Sequence, residues 1–207
     1  MFEAVLFDFG GVLTTSPFDG FDRYERAAGL PVGLIRQINS TNADENAWAK
    51  LERSDVDRAE FCDLFEAEGR ALGHEVDARL VLECLKTELR PEMVSAVRRL
   101  AERYKTAILT NNLVAHQDAD ASMSPTGDMA AVVGYVDAVI ESSKVGVRKP
   151  EMRFYEIACE LLGVAPTACV FLDDLGVNLK PARAMGMTTI KVTSGHQALT
   201  ELEAVLG

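Results

Sequence analysis

The sequence predicts an α/β protein: a Rossmann-like core with a parallel sheet, and an inserted all-helical cap near the N-terminus. Three observations carry this prediction. Short apolar runs have the composition of buried strands, amphipathic helical patterns alternate with them, and one long stretch contains no convincing strand. Strands that alternate with helices form βαβ units, and their parallel sheet is covered by helices on both faces.

Five short runs are typical of buried strands, because each is apolar or β-branched and is bounded by polar residues or glycine. They cover residues 4–7, 106–109, 138–140, 168–172 and 188–192. Their length also favours strands, since a globular helix usually needs ten or more residues. We therefore expect a sheet of five parallel strands.

Helical patterns follow the later strands, with apolar residues three and four positions apart. They cover residues 93–104, 154–162, 182–185 and 199–206. The second pattern stops at Gly163 and the third at Gly186, and glycine is the usual residue just after a helix. These helices supply the layers that cover the sheet.

Residues 16–89 interrupt the alternation and carry only helix-start signals. These signals are Ser16-Pro17, Pro31, residues 42–44, and Ser54 with Asp57, the last resembling a capping box. We therefore predict a core of residues 1–15 and 90–207, with a helical cap domain of residues 16–89. A clustering of serine, proline and glycine also predicts a long loop over residues 119–128.

Composition excludes several classes of protein. The chain has 207 residues, 48% of them hydrophobic and 26% charged, which is typical of a folded globular protein and not of a disordered or fibrous one. Its net charge of −11 argues against nucleic acid or an anionic membrane as a partner. No apolar run approaches the roughly 18 residues of a membrane span. Scattered cysteines and the lack of a visible signal peptide predict a cytoplasmic location.

Polar residues stand where the first two strands end, which is the edge where parallel sheets bind ligands. Asp8 follows the first strand, and the glycines at 10 and 11 permit a sharp turn after it. Thr110 and Asn111 end the second strand, where a hydroxyl and free backbone amides suit an anion. Each of these residues also fits an ordinary turn or helix cap.

Two further signals lie in the C-terminal half. Lys149 precedes Pro150, which favours an extended backbone and a lysine that projects as a point charge for phosphate. Asp173 and Asp174 end an apolar strand, where two carboxylates are costly unless they share a cation. A hard divalent cation, which takes oxygen ligands, fits this pair. A solvated lysine and a capping pair remain the alternatives.

The order of these signals along the chain resembles the haloacid dehalogenase-like (HAD) superfamily of hydrolases, and the resemblance spans the whole chain. The sequence is most similar to the N-terminal phosphatase domain of soluble epoxide hydrolase and its bacterial stand-alone relatives. Residues 139–142, 149–150 and 170–183 carry this closer likeness. Since the sequence ends at residue 207, we expect no epoxide chemistry.

The resemblance implies a phosphomonoesterase that depends on Mg²⁺ and acts on a small phosphorylated metabolite. Asp8 is the implied nucleophile and forms an aspartyl-phosphate that water then hydrolyses. The implied metal ligands are Asp8, the backbone carbonyl of Gly10, and Asp174.

The remaining implied roles concern the phosphate and the support of the nucleophile. The Thr110 hydroxyl and the Asn111 backbone N–H would bind phosphoryl oxygens. Lys149 would neutralise charge and orient the nucleophile. Asp173 and Asn178 would support the residues that bind the metal.

The sequence departs from the family pattern at Gly10. Phosphatases of the superfamily commonly carry a second Asp there, which protonates the leaving oxygen and contributes about 10²–10⁴-fold. Three explanations stay open. The substrate has a good leaving group, as in anomeric sugar phosphates or acyl phosphates; another residue supplies the proton; or the chain is a weakly active binding or regulatory module.

Two other hydrolases of the superfamily are alternatives. A haloacid dehalogenase would use Asp8 on carbon and would need no metal, so Asp173-Asp174 counts against it. A phosphonatase-like enzyme needs a lysine from the cap for a Schiff base. Lys50 and Lys86 are the only candidates there, and neither stands in an apolar setting that would depress its pKa.

Overall fold

A computed structural model describes residues 1–111 and 126–207 of the chain. In these residues, five strands form one sheet: β1 (Ala4–Phe7), β2 (Lys105–Thr110), β3 (Ala138–Glu141), β4 (Cys169–Asp173) and β5 (Thr188–Lys191). The order is β3-β2-β1-β4-β5, and every neighbouring pair is parallel. The predicted α/β class with a parallel sheet is confirmed, and each strand end lies within one residue of its predicted position.

The register of the sheet decides which residues meet at its carboxyl edge. Phe7 lies opposite Ile108 of β2 and Leu172 of β4. The Asp8 N–H continues the ladder by donating to the Leu172 carbonyl at 2.8 Å. Asp8 therefore leaves the sheet at the same level as Asp173, with β2 ending on its other side.

The chain folds as two compact units. The α/β unit comprises Met1–Thr15, Glu88–Asn111 and Thr126–Gly207, and the helical unit comprises Ser16–Thr87 among the described residues. The helical unit contains α1 (Pro17–Ala27), α2 (Leu34–Ser40), α3 (Ala47–Arg53), α4 (Arg58–Ala71) and α5 (Ala78–Glu83). No strand occurs between residues 16 and 87, all of which the structure describes.

Aromatic side chains form much of the centre of the helical unit. Trp48 lies edge-on to Phe21, Phe61 and Phe65 with ring centroids 5.5–6.0 Å apart. Such contacts add to the burial of apolar area, which drives the packing of these short helices. The helical unit therefore has a core of its own.

Helix starts in this unit follow the sequence signals only in part. Ser16 caps α1 as predicted. The predicted capping box of Ser54 with Asp57 is wrong: Asp57 is the first member of the box and Glu60 the second. Ser54 instead ends α3 in a left-handed conformation, with a φ of 64°.

Helices of the α/β unit cover both faces of the sheet. They are α6 (Pro91–Leu100), α7 (Thr126–Val133), α8 (Ser142–Val145), α9 (Met152–Leu162), α10 (Gly176–Ala184) and α11 (Gly195–Leu206). Val5 packs on the face that carries Met93 and Leu202. Leu6 packs on the opposite face with Phe154. This alternation along β1 is what a strand with two buried faces requires.

The predicted loop over residues 119–128 has two outcomes. Residues 119–125 lie outside the described residues. Residues 126–128 begin α7, so that part of the prediction is wrong. Among the described helices, none combines the length and the apolar character that crossing a membrane requires.

Candidate active site

Asp8 stands directly after β1 and is 7% exposed. Its Oδ1 accepts a hydrogen bond from the Phe9 N–H at 2.7 Å and lies 2.7 Å from Lys149 Nζ. The chain then makes one wide turn over Phe9–Leu13, closed by the Thr14 N–H donating to the Phe9 carbonyl at 3.1 Å. Wide turns of this type concentrate at functional sites. Both contacts to Asp8 fall on Oδ1, so Oδ2 is the oxygen better placed to react.

The two glycines of this turn differ in whether the backbone requires a glycine. Gly11 has a φ of 76°, and a Cβ there would lie 2.6 Å from Cγ of Asp174. The turn therefore packs against Asp174 only because position 11 has no side chain. Gly10 has φ −68° and ψ 129°, which any residue adopts, and no described atom lies within 4 Å of its would-be Cβ. Among the described residues beyond its two chain neighbours, a Cβ at position 10 would therefore meet no atom.

Lys149 lies between two carboxylates and is 1% exposed. Its Nζ is 2.7 Å from Asp8 Oδ1 and 2.8 Å from Asp173 Oδ2. Burial alone would lower the pKa of Lys149, but Asp173 and Asp8 outweigh it and raise that pKa above its usual value. The ammonium therefore stays charged next to Asp8. The peptide bond to Pro150 is cis.

Asp173 is fully buried, and polar groups surround its carboxylate. Oδ1 accepts the Leu175 N–H at 2.7 Å, and Asn178 Nδ2 lies 3.1 Å from each oxygen. Together with Lys149 Nζ on Oδ2, these donors compensate for the removal of the charge from water. Asp173 and Asn178 thus anchor the far side of the lysine ammonium.

The carboxyl groups of Asp8 and Asp174 are harder to ionise than usual. Burial raises the pKa of Asp174 to about 6, Asp173 adds to the rise, and Lys149 opposes it. Burial also raises the pKa of Asp8 well above its ordinary value; Lys149 opposes this rise, and Asp173 and Asp174 add to it. Clustered carboxylates of this kind favour a cation between them.

The same three aspartates can hold a metal ion. One ligand oxygen each from Asp8, Asp173 and Asp174 lies within 4.8 Å of the others. An all-oxygen donor set suits hard divalent cations such as Mg²⁺. Since both oxygens of Asp173 already accept hydrogen bonds, Asp8 and Asp174 are the better donors. The residues present therefore fit the metal that the family resemblance implies.

Thr110 and Asn111 end β2 on the other side of Asp8. Thr110 is buried opposite Glu141 of β3. The Asn111 side chain bonds to the backbone of Lys149: Nδ2 donates to its carbonyl at 2.9 Å, and Oδ1 accepts its N–H at 2.9 Å. From the sequence, Asn111 was expected to contribute only its backbone N–H. No sequence pattern links two residues that are 38 positions apart.

Two other neighbours of the site also escaped the sequence analysis. Tyr155 is fully buried on α9, and its hydroxyl donates to the Asn178 carbonyl at 2.6 Å. In the sequence it looks like any large residue on the apolar face of that helix. Arg90 donates from Nε to the Thr14 carbonyl at 2.9 Å, and its charge opposes a small part of the rise that burial causes in the pKa of Asp174. Its position before Pro91 signals only a helix start.

Comparison with known sequences identifies related proteins. A family model described as haloacid dehalogenase-like hydrolase matches residues 2–186. Acyl-CoA dehydrogenase family member 10 of Mus musculus is 31% identical over all of this chain, and Bifunctional epoxide hydrolase 2 of the same organism is 32% identical over 97% of it. The chain spans only 19% and 38% of the length of these two relatives. Phosphatase MT3486 of Mycobacterium tuberculosis is 30% identical over 94% of this chain and 89% of its own length.

Solved structures show the same fold. A predicted HAD-like family hydrolase from Porphyromonas gingivalis superposes with a TM-score of 0.66 at 19% identity, covering 100% of this chain and 98% of that one. A HAD family enzyme from Bacteroides thetaiotaomicron, in complex with magnesium and inorganic phosphate, gives a TM-score of 0.60 at 20% identity, covering 94% and 96%. The family resemblance drawn from the motifs is confirmed.

Proposed function

Because this chain belongs to the haloacid dehalogenase-like hydrolase family, we propose that it is a Mg²⁺-dependent phosphomonoesterase acting on a small phosphorylated metabolite. The observation that carries the proposal is the buried contact of Asp8 with Lys149, beside a cluster of three carboxylates. This pairs a carboxylate nucleophile with a fixed positive charge. The names of the relatives support phosphate chemistry, since one at 30% identity is called a phosphatase.

In the proposed reaction, a carboxylate oxygen of Asp8 attacks the phosphorus of the ester. The new bond joins Asp8 to phosphorus, and the bond from phosphorus to the alcohol oxygen breaks. The oxygen departs as an anion and takes its proton from water. Water then attacks the aspartyl-phosphate, which releases inorganic phosphate and restores the carboxylate. Lys149 reduces the repulsion between the carboxylate and the anionic phosphate, and such electrostatic positioning is most of phosphoryl-transfer catalysis.

Mg²⁺ would be held by Asp8, Asp174 and the backbone carbonyl of Gly10. When bound, it supplies positive charge that neutralises the phosphoryl oxygens. The Thr110 hydroxyl and the Asn111 backbone N–H would bind the same phosphoryl group, because both follow β2 at the edge where Asp8 emerges.

Substrate preference follows from Gly10 in this proposal. A glycine at position 10 has no acid to protonate the departing oxygen, so esters whose leaving group is stable as an anion are favoured. Residues 16–89 act as a cap that selects the substrate and excludes water. A cytoplasmic location belongs to the same proposal, because the four cysteines are free.

Release of inorganic phosphate from an aryl phosphate tests the proposal. We expect turnover with Mg²⁺, none in EDTA, and none in Asp8→Asn with Mg²⁺ present. Beryllium trifluoride, which mimics a phosphoryl group on aspartate, should bind to the wild type but not to Asp8→Asn. Metal-independent halide release from a haloacid would instead favour a dehalogenase. No turnover on a broad substrate panel would favour a binding module.

A further inference from the structure

The side chain of Asn111 closes a two-bond clamp on the main chain of Lys149. It bonds to both polar groups of that residue, the N–H and the carbonyl, each at 2.9 Å. One amide side chain therefore engages both the donor and the acceptor of the lysine backbone. This clamp ties the end of β2 to the segment that precedes α9.

Lys149 needs this attachment because its own segment is irregular. Residues 146–151 lie between α8 and α9 and belong to no helix or strand. A lysine side chain has a flexible four-carbon stem, so its ammonium is fixed only if the chain at its base is fixed. Asp8 and Asp173 hold the tip within 2.8 Å, and the Asn111 clamp holds the base.

We propose that the Asn111 side chain is a positioning residue that aligns Lys149 with Asp8. The inference rests on the proposed function, in which the ammonium offsets the charge of the nucleophile. It is separate from the phosphate contact proposed for the Asn111 backbone N–H, which every substitution except proline retains. Side-chain variants therefore isolate the clamp.

Three variants define the test. Asn111→Ala removes both bonds of the clamp, and Asn111→Asp keeps the acceptor oxygen but loses the N–H donor. Asn46→Ala is the matched control, since Asn46 is also buried and also bonds to backbone groups, at Asn39, Thr41 and Ala49. It lies in the helical unit and outside the proposed catalytic machinery.

The first measurement follows the position of Lys149 without using activity. The folded protein is treated with an amine-acylating reagent, and mass spectrometry gives the rate of modification at Lys149. We expect slow modification in the wild type and in Asn46→Ala, and at least about tenfold faster modification in both Asn111 variants, because the buried ammonium is released. Equal rates at Lys149 in all four proteins would overturn the proposal. Circular dichroism confirms that each variant is folded, and Asn111→Asp replaces Asn111→Ala should the latter unfold.

The second measurement is a double-mutant cycle on phosphate release. Asn111→Ala should lower kcat by about 10–100-fold with less change in KM, as expected for a misplaced catalytic group. In a Lys149→Ala background, the same substitution should change kcat less than about twofold, because its effect acts through the lysine. If the effects of Asn111→Ala and Lys149→Ala on kcat simply multiply, the two residues act independently, and this result would contradict the positioning role. Wild-type protein without phosphatase activity would refute the proposed function, while the acylation rates would still decide the role of Asn111.

Discussion

Both units of the chain bury charged and amide side chains, but the partners of these groups differ. In the α/β unit, Asp8, Lys149 and Asp173 contact one another through their side chains. In the helical unit, Glu25 is just as buried and binds only backbone: it accepts the N–H groups of Gly33 at 2.6 Å and Ile35 at 2.7 Å.

This difference separates the proposed catalytic site from a structural one. Glu25 caps the start of α2, because the residue before that helix is a glycine with no side chain to do so. Its carboxylate is used for stability. At the sheet edge, in contrast, each charge faces another charge. Burial raises the pKa of Asp8 and Lys149 opposes that rise, while Asp173 and Asp8 raise the pKa of Lys149 against the effect of burial. The buried charges at the sheet edge contact other charged side chains, whereas the buried charge of Glu25 contacts only backbone groups.

The largest expected effect comes from removing the proposed nucleophile, Asp8. Asp8→Asn should lower phosphate release by about 10⁴-fold or more, because a carboxamide cannot form the aspartyl-phosphate. The melting temperature should not fall, since an amide is easier to bury than the carboxylate it replaces. Phosphate release with saturating Mg²⁺ and a thermal melt measure both quantities. Residual activity within about tenfold of the wild type would show that Asp8 is not the nucleophile.

Gly10→Asp should give the next largest change, as an increase. A Cβ at position 10 would meet no described atom beyond its chain neighbours, and the new acid would protonate the leaving oxygen. We expect turnover of alkyl phosphates to rise by about tenfold or more, and turnover of aryl phosphates to rise less. Gly10→Asn is the matched control without a proton to donate. Equal gains in turnover on alkyl and aryl phosphates would contradict the hypothesis that the acid at position 10 is what the chain lacks.

Removing the buried acid of the helical unit should change stability and spare the chemistry. Glu25→Ala leaves the buried N–H of Ile35 and the half-buried N–H of Gly33 without their partner, so the free energy of unfolding should fall by about 2–3 kcal/mol. Urea denaturation measures this, and kcat per folded molecule should stay within about twofold. Glu45→Ala, at an exposed position of the same unit, should stay within about 0.5 kcal/mol. A loss of kcat comparable to that of Asp8→Asn would show that the role of Glu25 is not limited to stability.

The smallest effect is a pH dependence in EDTA. The pKa of Asp174 is about 6 in the folded chain and lies above its ordinary value of 3.8. The folded state therefore holds this proton more tightly, and the stability it contributes below pH 3.8 is lost as the pH rises through 6. Asp174→Asn should thus melt about 2–4 °C above the wild type at pH 8 and close to it at pH 4. An identical difference in melting temperature at pH 8 and pH 4 would contradict the raised pKa of Asp174. Asp63→Asn, at an exposed position, serves as the control.

The strands were accessible to sequence analysis because their signal is local. A buried parallel strand is short, apolar and bounded by turn residues, so each strand end was placed within one residue. Helix starts in the helical unit were less accessible. The start at α2 depends on Glu25 of α1, and α3 is capped by Asn46 and by Glu68 of α4. Caps supplied by another helix leave no mark next to the helix they start.

The residues of the site also divide into those with a local sequence signal and those without one. Residues that end strands were predicted from position alone, because parallel strands present their carboxyl ends at one edge. The contacts of Asn111 with Lys149 and of Tyr155 with Asn178 were not predicted. They join residues far apart in the chain, and only the register of the sheet and the packing of α9 bring them within hydrogen-bond distance.

Sequence alone determined the α/β class, the family, and the polar residues that stand at the strand ends, since all three depend on short-range pattern. Tertiary structure decided which of these residues touch. It placed Lys149 between Asp8 and Asp173 and assigned the Asn111 side chain to the lysine backbone. Among the described residues, it also left the space next to a Cβ at position 10 open. The physical reason is that ion pairing and burial depend on distance in space, which spacing along the chain does not encode.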